Sequence, residues 1–349
     1  MGFGKYLLIR AINALIVLSL VTLVVSALFV KVAEKDLEEQ IIQRINAEIQ
    51  ALQQQGKHIE NPDEFRAERL AYYQHLYHLD KPYWWRVLYY FKRTLTFDFG
   101  NTKTPIFGTE RDVNSIIAAA LPRTIMLFTT AEIIVIILGI LLGVKAAQMA
   151  GSTFDRAISI VALITSSIPM WWFGMMMLLI FAFEFPLFPA SSIPDPNLSG
   201  VAHIIDTIHR MVLPVFTIVL VLFGGWAWTT RNIMIGTMQE DFIMAARAKG
   251  VPERKVIYGH ALRASAPPIV TMVIFGLLGS MSGAIITESV FNWPGMGRVY
   301  WIAIQTNEVN LIMALTFIFV ALYLTAVILA DVAYGYLDPR VKVGASTKM

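Results

Sequence analysis

Six apolar stretches, each long enough to cross a lipid bilayer, constrain this sequence more than any other feature. A bilayer core of about 30 Å requires roughly 20 apolar residues in a helix. Of the 349 residues, 56% are hydrophobic and 15% are charged, more apolar than an ordinary soluble domain. We therefore predict an all-α integral membrane protein with six transmembrane helices. The predicted spans are 6–30, 124–144, 158–183, 211–230, 267–291 and 311–334.

Lysine and arginine residues predict the orientation of these spans. They lie in the N-terminal segment, at 145–156, within 231–263 and at 340–342. By the positive-inside rule these segments, and therefore both termini, belong in the cytoplasm. Residues 31–115, 184–210 and 292–310 are then outside.

The external region 31–115 is predicted to be largely helical. Apolar residues at helical spacing predict an amphipathic helix over 36–55 that Gly56 ends. A second helix should follow Asn61-Pro62, where asparagine caps and proline fits the first turn. The aromatic cluster that follows contains Trp84 and Trp85, and its residues are typical of an interfacial belt or of packing; direct contact with a substrate is the alternative.

Several classes of site are excluded by composition or spacing. The chain has no cysteine, which excludes disulfides and thiolate metal sites. His75 and His78 are the closest approach to a metal pair, but they lack the spacing and nearby carboxylates of a metal site, so no metal site is predicted. The net charge of +3, with basic residues spread between loops, argues against nucleic acid. No Gly-x-x-x-x-Gly-Lys-Ser/Thr sequence is present to hold nucleotide phosphates.

A charged, helix-forming segment interrupts the apolar stretches at 241–263. Its small residues Ala245 and Ala246 permit close approach to another surface, Gly250 ends the first helix, and Pro252 delays the next. Charge and helicity alone fit any cytoplasmic loop. The order of residues is more specific: Ala246-Arg-Ala-Lys-Gly250, followed by His260-Ala-Leu-Arg263, resembles the Glu-Ala-Ala loop of ABC importer transmembrane subunits, in the form found in the dipeptide, oligopeptide and nickel permease family.

Further matches to that family run in order from about residue 70 to 342. They are Leu79-Asp-Lys-Pro82, Asp98-Phe-Gly100, Leu121-Pro-Arg-Thr124, Glu288 to Gly297 and Asp338-Pro-Arg340. The chain departs from the family where Lys31-Val-Ala-Glu replaces the common Pro-Gly-Asp-Pro segment, where Met244 replaces glutamate and where Arg263 replaces proline.

The resemblance implies a type I ABC importer-like fold with an enlarged extracytoplasmic helical region after the first span. The implied divisions are the first span (1–30), the external region (31–115), a core permease domain (116–342) with its coupling loop (232–263), and a tail (343–349). The implied function is a non-catalytic half of the pathway for di- or oligopeptides, in the plasma (inner) membrane of a prokaryote. The implied partners are a homologous second permease subunit, two ABC ATPase subunits, an extracytoplasmic binding protein and membrane lipid. No cofactor is expected on this chain, with ATP and Mg on the ATPase subunits.

The resemblance also implies roles for individual residues. The ATPase-coupling loop would comprise Asp241, Ala245, Ala246, Arg247, Lys249, Gly250, Arg254, His260, Leu262 and Arg263. The candidates for the translocation path or gate are Glu132, Trp171, Trp172 and Glu288, and those for the dock of the binding protein are Trp84, Trp85 and Trp293.

Alternatives remain open from the sequence alone. Glu132 either meets substrate, or pairs with a polar group on another helix, or is simply protonated. Glu288 either braces the external loop or gates. Trp171 and Trp172 either pack or narrow the path after a kink at Pro169. An oligosaccharide importer of the same family, an ion-driven secondary transporter and a membrane scaffold or sensor are the alternative functions.

Overall fold

The protein is all-α in the residues that its computed structural model describes, 3–56 and 61–337. No strand occurs in these ranges, only two isolated β-bridges. The first elements are α1 (Phe3–Gln54), α2 (Pro62–Leu76), α3 (Tyr83–Leu95), α4 (Val113–Thr124), a π-helical segment (Ile125–Thr129), α5 (Thr130–Gln148), α6 (Thr153–Ser167), α7 (Met170–Leu178) and a second π-helical segment (Leu179–Glu184). They are followed by α8 (Gly200–Met238), α9 (Asp241–Ala248), α10 (Glu253–Lys255), a third π-helical segment (Val256–Ala261), α11 (Leu262–Ala264), α12 (Ala266–Ser280), α13 (Ile285–Val290), α14 (Met296–Gln305) and α15 (Val309–Leu337). The predicted all-α class is confirmed.

Four helices among the described residues are each long and apolar enough to span a membrane. They are Gly4–Gln54, Val113–Gln148, Gly200–Met238 and Val309–Ala333. Two bent pairs meet the same criteria together: Thr153–Ser167 with Met170–Glu184, bent by 91°, and Glu253–Ala264 with Ala266–Ser280, bent by 62°. Up to six spans result if each pair is one span. The first bend lies at Pro169, where the sequence predicts a kink.

Two predicted boundaries are wrong. The first predicted span and the amphipathic helix are one continuous helix, α1, of 52 residues. Residues 31–35 contain no proline or glycine to end it. The predicted fifth span, 267–291, ends at Ser280 instead, because the chain turns at Gly283, whose φ of +69° favours glycine, before the separate helix α13 begins. Gly56, with φ +72°, follows the end of α1 as predicted.

The described helices fall into two compact units. The first contains residues to Ala14, Ile117–Ile302 and the chain from Phe319; the second contains Leu15–Ile116 and Ala303–Ile318. The predicted motif at 338–340 and the tail 343–349 lie outside the described residues.

Glycines allow the helices of the first unit to approach closely. A Cβ atom on Gly143 of α5 would lie 2.5 Å from the carbonyl oxygen of Ala227 on α8. A Cβ on Gly224 of α8 would lie 2.9 Å from Cα of Ala162 on α6. Small residues bring membrane helices into backbone contact in this way, so α8 is held between α5 and α6.

The second unit buries the apolar stripe of α1 against α2. Asn61 caps α2 by accepting a hydrogen bond from the backbone N–H of Glu64, as the sequence predicts. Ile41 and Ile45 are buried with Tyr73 in one cluster, and the Tyr73 hydroxyl donates to the Glu48 carboxylate. The predicted stripe therefore faces another helix.

Glu308 fastens the loop at 101–111 within the second unit. Its buried carboxylate accepts hydrogen bonds from the backbone N–H groups of Lys103 and Thr104, at 2.8 and 2.9 Å, and from the Thr104 hydroxyl.

We expect Glu308→Ala to loosen this loop. Hydrogen bonds to charged groups contribute about 1.5–3 kcal/mol each, and three are lost, so the local free energy of opening should fall by about 4 kcal/mol or more. Amide hydrogen exchange at 101–111 should accelerate in the purified variant, whereas exchange in α5 should not. Unchanged protection of the loop would contradict the prediction.

Candidate functional site: the coupling segment and its support

The coupling segment, residues 241–263, begins with a short helix whose end is fixed by backbone hydrogen bonds. Helix α9 ends at Ala248, and Gly250 follows with φ +76°. The N–H of Gly250 donates to the Arg247 carbonyl at 2.9 Å, and the N–H of Val251 donates to the Ala246 carbonyl at 3.2 Å. This pair of bonds is the Schellman motif, which requires a left-handed residue that glycine supplies without strain. Gly250 therefore determines the direction in which the chain leaves α9.

One face of the segment is anchored to the first unit. Ile243 of α9, together with Val256 and Ile257, is buried in a cluster with Val144 of α5 and Met234 of α8. The side chains of Ala246, Val251 and Leu262 pack against that cluster. The Ser265 hydroxyl, two residues after the segment, also donates to Thr237 of α8 at 2.7 Å. The segment is thus a rigid extension of α5 and α8.

The opposite face carries exposed apolar and charged side chains. Phe242 is 49% exposed and Met244 is 52% exposed, and both are absent from the residues that the sequence analysis assigned to coupling. No signal in the sequence pointed to them, because the eight residues of α9 do not show which side of the helix is buried. Large exposed apolar side chains beside polar ones mark interaction surfaces.

The predicted coupling residues divide between these two faces. Arg247 pairs with Glu253 across the turn, with an N–O distance of 2.8 Å. Ala246 and Leu262 support the segment from within, and His260 is half-buried. The exposed members are Asp241, Ala245, Arg247, Lys249, Gly250, Arg254 and Arg263.

An ion pair joins α6 to α8 near the end of α8 that leads into the coupling segment. Asp155, near the start of α6, accepts hydrogen bonds from Nε and a terminal nitrogen of Arg231 on α8, at 2.7 and 2.8 Å. It also accepts one from the backbone N–H of Gly151. Asp155 was not among the residues predicted from the sequence. Its signal was the Ser152-Thr-Phe-Asp155 pattern, which is typical of a helix N-terminus.

Glu132 lies among three helices of the first unit. Its side chain is buried, and its carboxyl group and the ring of Trp226 on α8 both lie against Gly276 of α12. A Cβ on Gly276 of α12 would overlap with its carboxyl group. Whether Glu132 meets substrate or pairs with a polar group on another helix therefore stays a prediction.

Glu288 is fully buried in α13 and bridges separate segments. The Thr124 hydroxyl donates to one carboxyl oxygen at 3.0 Å, and the backbone N–H of Arg298 donates to the other at 3.0 Å. The Thr124 oxygen in turn accepts from the N–H of Met296 at 2.7 Å. These contacts favour the bracing role over the gating role.

The predicted tryptophans occupy different environments. Trp84 and Trp85 of α3 are exposed, as are Trp171 and Trp172 after the bend at Pro169. Trp293 is fully buried, and its indole N–H donates to the Arg123 carbonyl at 3.0 Å. The expectation that Trp293 contacts a binding protein is therefore wrong, because its side chain is enclosed by the first unit.

Comparisons with known proteins agree with this geometry. The family described as "Binding-protein-dependent transport system inner membrane component" matches residues 135–343. The chain is 30% identical over 268 residues to the oligopeptide transport system permease protein AppB of Bacillus subtilis (strain 168), covering 76% of this chain and 83% of that protein. It is 32% identical over 268 residues to the dipeptide transport system permease protein DppB of the same organism, with 76% and 82% covered. For DppB of Escherichia coli (strain K12) the identity is 31% over 285 residues, with 76% and 82% covered.

Proposed function

Because the chain belongs to the family of binding-protein-dependent transport system inner membrane components, we propose that it is one of two transmembrane subunits of an ATP-driven importer of di- or oligopeptides. The coupling segment carries this proposal, since it joins an exposed face to a base packed on α5 and α8. The relatives, which are named as oligopeptide and dipeptide permeases, supply the substrate class.

In this proposal the chain has no catalytic role. Two separate ATPase subunits bind ATP and Mg, and α9 seats in a cleft of one of them with Phe242 and Met244 as apolar contacts. Closure of the ATPase pair then moves α9. Since Ile243 is buried with side chains of α5 and α8, that movement passes to the membrane helices as a rigid-body change between two packed states.

This subunit would act with two further partners and in one orientation in the membrane. A homologous permease subunit completes the pathway, and an external binding protein delivers the peptide beside the exposed Trp84 and Trp85. The coupling segment and both termini face the cytoplasm. This orientation rests on the distribution of lysine and arginine.

The proposal is tested by purifying the complex through a tag on this subunit. We expect ATPase subunits to co-purify, and their activity to rise when a binding protein preloaded with peptide is added. A binding protein loaded with oligosaccharide is the matched control. Stimulation by the oligosaccharide alone would overturn the peptide assignment, and recovery of this subunit without any ATPase would overturn the importer.

Gly250→Ala should weaken the coupling of ATP hydrolysis to transport. A Cβ there meets no atom within 4 Å, so the cost comes from the left-handed backbone and is about 1–2 kcal/mol. In proteoliposomes, fewer peptides should enter per ATP hydrolysed, and Gly250→Val should be worse. Gly236→Ala is the control, because Gly236 lies in α8 with open space around it and no positive φ. A Gly250→Val complex with normal coupling would contradict this role.

A further inference from the structure

Two adjoining cavities lie within the second unit. Their volumes are about 530 and 490 Å³, in the range of small-molecule sites. The two cavities are adjacent, since six residues line both: Leu37, Gln40, Arg44, Tyr77, Lys103 and Arg111. None of these residues was assigned a role by the sequence analysis.

The charge of the lining is positive. Arg44, Lys103 and Arg111 line both cavities, whereas Glu39 lines only the first and Glu308 only the second. The Glu308 carboxylate is already occupied by the loop at 101–111. The cavities therefore present more cationic than anionic groups.

The cationic side chains that line the cavities differ in whether they already have an ion-pair partner. Arg93, in the second cavity, is bound by Asp98 through two hydrogen bonds of 2.8 and 2.9 Å, which hold the pKa of the Asp98 carboxyl below its ordinary value. Arg44 lies 3.8 Å from Glu48 and 5.2 Å from the ring of Tyr73. Among the described residues, the exposed Arg111 guanidinium has no ion-pair partner. An anion entering the cavities would therefore meet Arg111 without displacing another carboxylate.

The uncharged lining suits a peptide. Gln40, Asn101 and Asn310 contribute amide groups, and Tyr77 and Tyr89 contribute aromatic rings. Amides can hydrogen-bond to peptide groups, and tyrosine offers both apolar area and a hydroxyl.

The position along α1 separates the cavities from lipid headgroups. Gln40 and Arg44 follow Val30, the last residue of the first apolar stretch, by 10 and 14 residues of continuous helix. At 1.5 Å per residue these distances are about 15 and 21 Å along the axis. The headgroup regions together add only about 10–15 Å to the bilayer core.

We propose that these cavities bind a peptide through a carboxylate, with Arg111 as its principal cationic contact. The inference rests on the proposed function, because it assigns the importer subunit a site of its own for acidic peptides. Binding there does not require the binding protein.

The test is equilibrium binding to the purified complex without binding protein. The probe is the labelled tripeptide Ala-Glu-Glu, and the comparison ligand is Ala-Gln-Gln with an amidated C-terminus. We expect the acidic peptide to bind, and Arg111→Gln to weaken it about tenfold, as for loss of one charge-assisted contact. Arg66→Gln is the matched control, since Arg66 is an exposed arginine of the same unit that lines neither cavity.

Several outcomes would overturn the inference. These are equal binding of the acidic and amidated peptides, displacement of the acidic peptide by equimolar inorganic phosphate, and an Arg111→Gln effect confined to affinity for the binding protein. The proposed function is tested by a separate measurement, the stimulation of ATPase activity by binding protein loaded with a neutral peptide. Retained stimulation in a complex that binds no acidic peptide would overturn only the cavity assignment. Specific acidic-peptide binding to a complex whose ATPase no peptide stimulates would support the cavity and overturn the function.

Discussion

Asp155→Ala should lower the stability of the protein by about 3 kcal/mol, because it leaves Arg231 without its buried partner. Breaking a buried ion pair by removing one member costs about 3–5 kcal/mol. The Asp155 side chain is 5% exposed, but that of Arg231 is 24% exposed. Water can therefore reach the arginine, which favours the lower end of that range. The Tm of the detergent-solubilised complex should fall by roughly 5 °C or more.

The effect should reach the coupling segment as well. Arg231 lies seven residues before the end of α8, which leads into α9. Loss of the pair should loosen α8 from α6 and reduce transport per ATP hydrolysed. Asp155→Asn should be milder, since its amide oxygen still accepts one hydrogen bond. Arg156→Ala is the control at an exposed neighbour, where changes are usually within 0.5 kcal/mol. Equal Tm values for Asp155→Ala and Arg156→Ala would refute the prediction.

The lengths of the apolar runs in the sequence predicted the presence of the membrane helices more reliably than the positions of their ends. The apolar runs indicated the four long helices and the two bent pairs that meet the criteria for a span, and Pro169 indicated the bend in the first of these pairs. The segment between Val30 and Leu37 contains no proline or glycine to end α1, but its polar residues suit both a helix that leaves the membrane and one that stops at its surface. At Ser280 the end depends on the turn at Gly283, and that glycine lies within an otherwise apolar sequence.

The exposed and buried faces of the coupling segment were harder to predict than its existence. The order of alanine, glycine and histidine residues identified the segment, but a sequence of eight residues such as α9 does not show which side meets the protein. Contact with Val144 and Met234 decides that Ile243 is buried while Phe242 and Met244 are exposed. Trp293 was misassigned for the same reason, since an aromatic residue in a predicted external loop can be either exposed or enclosed.

Glu288→Ala should be the most destabilising change in α13. It removes a fully buried side chain and leaves the Arg298 N–H and the Thr124 hydroxyl without their acceptor. An unsatisfied buried polar group costs about 1–3 kcal/mol, and the cavity adds to this, so we expect a total of about 3–5 kcal/mol. The measurement is the thermal denaturation of the purified complex.

Glu288→Gln separates bracing from gating. The glutamine oxygen can accept from the Arg298 N–H, while its amide donates to the Thr124 oxygen, which has a second lone pair beside its bond from Met296. If Glu288 only braces the loop, the Glu288→Gln complex should therefore keep a near-normal Tm and near-normal transport. If Glu288 instead gates the path through the charge of its carboxylate, the Glu288→Gln complex should lose transport while keeping a normal Tm. Both carboxyl oxygens of Glu288 accept hydrogen bonds, and the absence of side chains at Gly283 and Gly295 leaves space for the carboxyl group. We therefore expect the Glu288→Gln complex to transport peptide and the Glu288→Ala complex to unfold at a lower temperature.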